Sequence, residues 1–163
     1  MGEDNERTLA LMNSTGYEIQ QDNGQRIYGP PPDWDGPAPK DTEVFIGKLP
    51  NDVYEYDLVP LFESCGKIYM LRIMQNFSCL NRGFAFVQYT TPDDADKAIR
   101  YLNNVEIRKN ERIGVVKSRN NCRLYIGKLD QTMTREEIKK ELEILTEDIV
   151  DVIIHKNDVE GEL

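Results

Sequence analysis

The chain of 163 residues is short of cysteine, histidine and tryptophan, and each shortage narrows the chemistry open to it. Cys65, Cys79 and Cys122 are odd in number and scattered in spacing, which fits a reducing compartment and offers neither a disulfide framework nor a zinc pattern. The single His155 has no Cys or Ser placed as a partner, and there is no Gly-rich phosphate loop, no H-E-x-x-H and no C-x-x-C. Asp93-Asp94 and Glu136-Glu137 fall in the first turns of expected helices, where the helix dipole favours acids, so they are structural. No catalytic residue, metal or cofactor is expected. No apolar run approaches the roughly 20 residues a membrane helix needs, and the acidic start MGEDNER is unlike a secretory signal. The glycosylation matches Asn13-Ser14-Thr15 and Asn76-Phe77-Ser78 are therefore read as accidental, and the expected location is cytoplasmic, nuclear or both.

Positive charge is also scarce: 20 Lys+Arg face 29 Asp+Glu, a net charge of −9. Taken whole, that argues against a phosphate-binding protein. The deficit is uneven, with net −6 over residues 1–43, +1 over 44–118 and −4 over 119–163. Only the middle segment would not repel an anionic ligand.

What is present divides the chain into residues 1–43, 44–118, 122–155 and a tail at 156–163. In the first segment a short helix over 5–14 carries Leu9, Leu11 and Met12, with Gly16 as its stop. Tyr17 to Tyr28 reads as a β-hairpin around Asn23-Gly24, a dipeptide that tolerates the positive φ angles of a type I′ turn. A two-residue loop sets Ile19 opposite Tyr28 and Gln21 opposite Arg26, so Tyr17, Ile19 and Tyr28 share a face. Such a hairpin is marginal alone and should lean on a larger domain. GPPPDWDGPAP, from Gly29 to Pro39, is a proline-rich linker.

Residues 44–118 alternate between the two periods. Val44 to Leu49 is a short apolar strand, and Leu58, Leu61, Phe62 and Cys65 lie on one helical face with Gly66 as the expected C-cap. Ile68 to Met74 and Gly83 to Tyr89 are strand-like. Thr91 starts a second helix with Pro92 at its first position and Asp94 closing a capping box, and Ala95, Ala98, Ile99 and Leu102 form its buried stripe. Ile113 to Lys117 supplies a last strand. The order is βαββαβ, an α+β sandwich with two helices on one face of a four-stranded antiparallel sheet.

The third segment repeats the first half of the second. VFIGKLP (Val44 to Pro50) recurs as LYIGKLD (Leu124 to Asp130), 80 residues later, and Leu58 and Phe62 recur as Ile138 and Leu142. Ile149 to Ile154 is then expected as a strand answering Ile68 to Met74. The rest of the second copy is missing, so its strands are expected to lack partners.

RGFAFVQY (Arg82 to Tyr89) matches the RNP1 pattern of the RNA recognition motif at every defined position, and VFIGKL resembles the paired RNP2 strand. Side chains alternate along a strand, so Arg82, Phe84, Phe86 and Gln88 point away from Ala85, Val87 and Tyr89. Phe45 projects opposite to Val44 and Ile46. Three phenylalanines then sit on the face that no helix covers, where unpaired bases stack at roughly 1–3 kcal/mol each. Arg82 adds a phosphate contact. Phe45, Lys48, Arg82, Phe84, Phe86, Gln88 and Lys117 make up the candidate RNA-binding set, and Tyr125 and Lys128 a secondary one.

Beyond these two motifs, TGYEIQQDNGQRIYGPPPDW, EVFIGKLPNDVYEYDLVPLFESCGKIY, LNRGFAFVQYTT, LNNVEIR and NCRLYIGKL resemble a narrower group. It comprises heterogeneous nuclear ribonucleoproteins Q and R, the apolipoprotein B editing complementation factor, related RNA-binding motif proteins and dead-end germ-cell proteins. The resemblance implies that the hairpin extends the first RNA recognition motif. It also implies single-stranded RNA, specifically mRNA and often its 3′ untranslated region, as ligand. Regulatory protein partners would act on editing, translation or decay. This chain departs from the group's pattern at Cys79-Leu80, where the loop between the second and third strands usually carries Gly. The rival reading is a protein-interaction adaptor, supported by the acidic flanks, the helix over 136–146 and the half domain.

Overall fold

The computed structural model describes residues 2–119, 124 and 126–154. The chain divides into two compact units, Met1–Asn120 and Asn121–Leu163. In the first, α1 (Gly2–Thr15) ends where Gly16 adopts φ 75° and donates its N–H to the Met12 carbonyl at 2.8 Å. That left-handed stop is the one the glycine's position predicts. β1 (Ile19–Asp22) and β2 (Gln25–Tyr28) are joined through Asn23 and Gly24 at φ 46° and 74°, a type I′ turn with Ile19 opposite Tyr28 and Gln21 opposite Arg26, as expected.

The body follows as β3 (Glu43–Gly47), α2 (Glu55–Glu63), β4 (Ile68–Gln75), β5 (Asn81–Tyr89), α3 (Pro92–Leu102), a small hairpin of β6 (Glu106–Arg108) and β7 (Glu111–Arg112), and β8 (Gly114–Lys117). The main sheet runs β1-β2-β4-β5-β3-β8, every neighbouring pair antiparallel. The expected four strands are there, and the hairpin adds two more by pairing β2 to β4.

Alternation decides which residues are buried. Val44, Ile46, Leu71, Ile73, Ala85, Val87 and Val115 face the helices and join Leu58, Phe62, Ala95, Ala98 and Leu102 in one core. Full burial of the Val, Leu, Ile and Phe side chains among them contributes about 1.5–3 kcal/mol each. The hairpin leans on this core through its Tyr17–Ile19–Tyr28 face. The Tyr17 and Tyr28 rings stack at 4.6 Å, Tyr17 donates its hydroxyl to the Ile68 carbonyl at 2.7 Å, and Arg26 pairs with the buried Glu55 carboxylate at 2.8 Å. Burial pushes the Tyr17 phenol well above its ordinary range, and the same holds for Tyr89, which donates to the Phe62 carbonyl.

Two local expectations are corrected, and one element is new. Gly66 is not a left-handed cap: α2 closes at Ser64, in the right-handed region, and a side chain at Gly66 would collide with that of Asp94. Closeness of approach, not φ, requires glycine there. Thr91 caps α3 by accepting the Asp94 N–H at 3.3 Å, but the Asp94 carboxylate turns to Lys97 Nζ at 3.1 Å instead of returning to the cap. The β6–β7 hairpin, turned at Asn110 with φ 65°, was not anticipated, because its residues (EIRKNER) carry too few apolar positions to show a period.

In the second unit the regular element among the described residues is α4 (Arg135–Leu145), with Ile138 buried. Neither 124–129 nor 149–154 contains a strand among its described residues. β3, the counterpart of the first, is held between β5 and β8; among the described residues the second unit has nothing to pair with it. Cys122, Tyr125 and His155 lie outside the described residues. No described helix is long and apolar enough to cross a membrane.

Candidate nucleic-acid interface

The face opposite the helices is built by the other half of each strand's alternation. One row crosses it residue by residue: Ile27 opposite Arg72, Arg72 opposite Phe86, Phe86 opposite Phe45, and Phe45 opposite Val116. Phe84 lies one step along β5, on the same side. The three phenylalanine rings form a triangle with centroids 5.5, 5.9 and 6.1 Å apart. All three are half-buried; Phe86 meets Phe45 and Phe84 edge to face, while Phe45 and Phe84 are tilted by 31°. Unlike the core residues on the reverse of the same strands, they present aromatic surface to solvent.

The start of β5 is held tightly. Asn81 is buried and donates its amide to the Pro50 and Val53 carbonyls at 2.6 and 2.9 Å, while its side-chain oxygen accepts the Gly83 N–H at 2.8 Å. Gly83 sits at φ 91°, and its carbonyl accepts from the Leu49 N–H at 3.0 Å. These bonds lock the β3–α2 loop to the first residues of β5, so Arg82 leaves the sheet at a fixed point. Arg82 is exposed, with its guanidinium carbon 5.4 Å from the Phe84 centroid.

The remaining candidates take different positions. Lys48 is exposed just past β3, with φ 57°. Gln88 is on the open face, but its amide donates to the Pro39 carbonyl at 2.7 Å and so ties the proline-rich linker to the sheet. Lys117 pairs with Val44 and follows Val116, so alternation turns it to the side opposite the phenylalanines, at an exposed strand end. Val116, half-exposed beside Phe45, holds the open-face position in β8. Tyr125 is outside the described residues, and Lys128 is exposed in the second unit.

Sequence reasoning passed over Arg72, Glu43 and the methionines of β4. Arg72 lies with its guanidinium carbon 4.8 Å over the Phe86 centroid, and its Nη2 reaches Glu43 Oε2 at 2.9 Å. Glu43 Oε1 accepts from the Ser118 hydroxyl at 2.8 Å. The signal was available: period two through IYMLRIMQ sets Met70, Arg72 and Met74 apart from the buried Leu71 and Ile73. At the tip of the β4–β5 loop Cys79 adopts φ 60°, a left-handed conformation that favours glycine. Phe77 beside it is fully exposed.

Residues 44–113 match the RNA recognition motif family. "Probable RNA-binding protein 46" of Macaca fascicularis is 54% identical over 149 residues, covering 90% of this chain and 31% of that protein. "RNA-binding protein 47" of Danio rerio is 51% identical over 156 residues, covering 94% and 26% respectively. The chain spans less than a third of the length of the curated relatives it matches. Among solved structures, the Sex-lethal RNA recognition domains 1 and 2 of Drosophila melanogaster superpose with a TM-score of 0.45 at 27% identity, covering 61% of this chain and 66% of that one.

Proposed function

We propose that the chain binds single-stranded RNA on the open face of the first unit, where residues 44–113 match the RNA recognition motif family. The observation that carries this reading is the phenylalanine triangle of Phe45, Phe84 and Phe86, half-exposed on one side of strands whose other side is fully packed, with only the Arg72 and Arg82 guanidiniums over two of its rings. Two-layer folds have no apolar use for such a surface, whereas unpaired bases stack on it at about 1–3 kcal/mol each.

Electrostatics shape the mode of binding. The chain's net charge of −9 repels RNA at long range, but at physiological salt that repulsion is screened beyond roughly 8 Å. Binding then draws mainly on stacking, with Arg82 and Lys48 as phosphate partners, so its salt dependence is shallow for an RNA-binding protein. The ligand is mRNA, and the role is post-transcriptional, in the nucleus, the cytoplasm or both, together with regulatory proteins. Support for this finer reading is the resemblance carried by the TGY…NGQR.YG.PPP segment; the relatives' names support RNA binding alone.

Titration of a short single-stranded RNA into the chain and its Phe84→Ala variant tests the reading. A loss of about 1–3 kcal/mol with an unchanged melting temperature is expected; equal affinity would contradict it.

A second reading, a protein-interaction surface on residues 124–154, draws on Leu124, Ile144, Leu145 and Val150, which are largely exposed. Ultraviolet cross-linking separates the two: RNA adducts at Phe84 or Phe86 favour the first, and recovery of protein partners alone favours the second.

A further inference from the structure

Two rings of the triangle have a guanidinium over them, Phe84 that of Arg82 at 5.4 Å and Phe86 that of Arg72, and the second is the one other side chains hold in place. Arg72, directly opposite Phe86 in the strand register, lies over it with the guanidinium carbon 4.8 Å from the centroid. The guanidinium is held there by Glu43 at 2.9 Å, and Glu43 is held in turn by the Ser118 hydroxyl at 2.8 Å. Three side chains from β4, β3 and the residue after β8 thus fix one planar cation on the aromatic platform. A base arriving at Phe86 meets that cation before it meets the ring.

We infer that Arg72 is itself a base-stacking residue, presenting its guanidinium plane as a second tier on Phe86 to a base of the bound strand. This rests on the open face being the RNA site. A guanidinium is flat, weakly hydrated and able to stack on a π-system from either side, so the layer of ring, cation and base is continuous. The Glu43 partner sets the role. An arginine reserved for phosphate has no need of a carboxylate that neutralises it, whereas an arginine used as a surface gains a fixed orientation from one. Lysine fails in this place, because an ammonium has no face to offer.

The test uses the whole chain and a single-stranded RNA selected from a random pool against the wild-type protein. Affinity is read for wild type, Phe84→Ala, Arg72→Ala, Arg72→Lys and Glu43→Gln across a salt series. Arg72→Ala is expected to lose on the order of ten-fold with the salt slope unchanged, and Arg72→Lys to lose nearly as much. Glu43→Gln, which frees the guanidinium's orientation, should lose less. Melting temperatures close to wild type exclude unfolding, since Arg72 and Glu43 are both partly exposed. Unchanged or tighter binding by Arg72→Ala, rescue by Arg72→Lys, or a salt slope reduced by about one phosphate contact would each overturn the inference. Failure of the selection, or full affinity in Phe84→Ala, would instead overturn the RNA-binding reading beneath it.

Discussion

Two segments of the chain share a sequence pattern, VFIGKLP with Leu58 and Phe62 and LYIGKLD with Ile138 and Leu142, and in them, among the described residues, the turn and the helix correspond while the strand does not. Lys48 and Lys128 share a left-handed φ, 57° and 58°. Val53 donates its N–H to the Pro50 carbonyl at 3.2 Å, and Met133 to the Asp130 carbonyl at 3.1 Å. Asp57 accepts the Tyr54 N–H at 3.1 Å, and Glu137 the Thr134 N–H at 2.8 Å. Leu58 and Ile138 are each buried one turn into the helix. Yet Val44–Gly47 lies within a strand while residues 126–129 do not. Turns and helix caps are closed by bonds within a few residues; a strand needs another strand. The stacking face requires more still, since two of its three rings come from β5, which the second unit does not match among the described residues.

Paired substitutions in the two units sharpen this contrast. The largest effect is expected for Leu58→Ala, about 2–5 kcal/mol off the main unfolding transition, because Leu58 is fully enclosed in the shared core. Ile138→Ala should leave that transition in place and alter only the signals of α4. Calorimetry checks both, and equal destabilisation would break the distinction. Next comes RNA binding: the Phe84→Ala loss of roughly 1–3 kcal/mol should have no counterpart in Tyr125→Ala, read by the same titration. Smaller again, Thr91→Ala removes a cap that accepts the Asp94 N–H and should cost about 0.5–2 kcal/mol of global stability. Thr134→Ala should instead lower helicity over 135–145 alone, read by amide chemical shifts.

The smallest effect is a pH dependence. The Glu137 carboxyl is held below its ordinary value by the Thr134 N–H and then by the Thr134 hydroxyl. A depressed carboxyl stabilises the folded form fully above its unfolded value and loses that contribution as pH falls through its folded value. Amide signals at the start of α4 should therefore fray on the acid side of the usual glutamate range and not on the alkaline side. A Glu137→Gln variant should remove the dependence.

Much of the first unit was legible because its signals are local or strictly periodic. Asn23-Gly24 dictates the turn, the turn dictates the register from Ile19–Tyr28 to Asp22–Gln25, and RGFAFVQY separates its two faces by alternation alone. What escaped depended on neighbours distant in sequence. Nothing near Gly66 announces that Asp94 will pack against it. Lys117 reads as a face residue until its pairing with Val44 fixes the parity of β8 and hands that position to Val116. Arg72 shows its side of β4 by period two, but its seat over Phe86 needs the β4–β5 register and a carboxylate from β3.

That RNA binding belongs to the first unit is tested most directly by hydrogen exchange on the whole chain, with and without a selected single-stranded RNA and with no protein partner present. Added protection over 43–47, 70–74 and 82–88, with residues 126–154 unchanged, is the result expected. Protection concentrated over 126–154, with β3 and β5 unaffected, would contradict it.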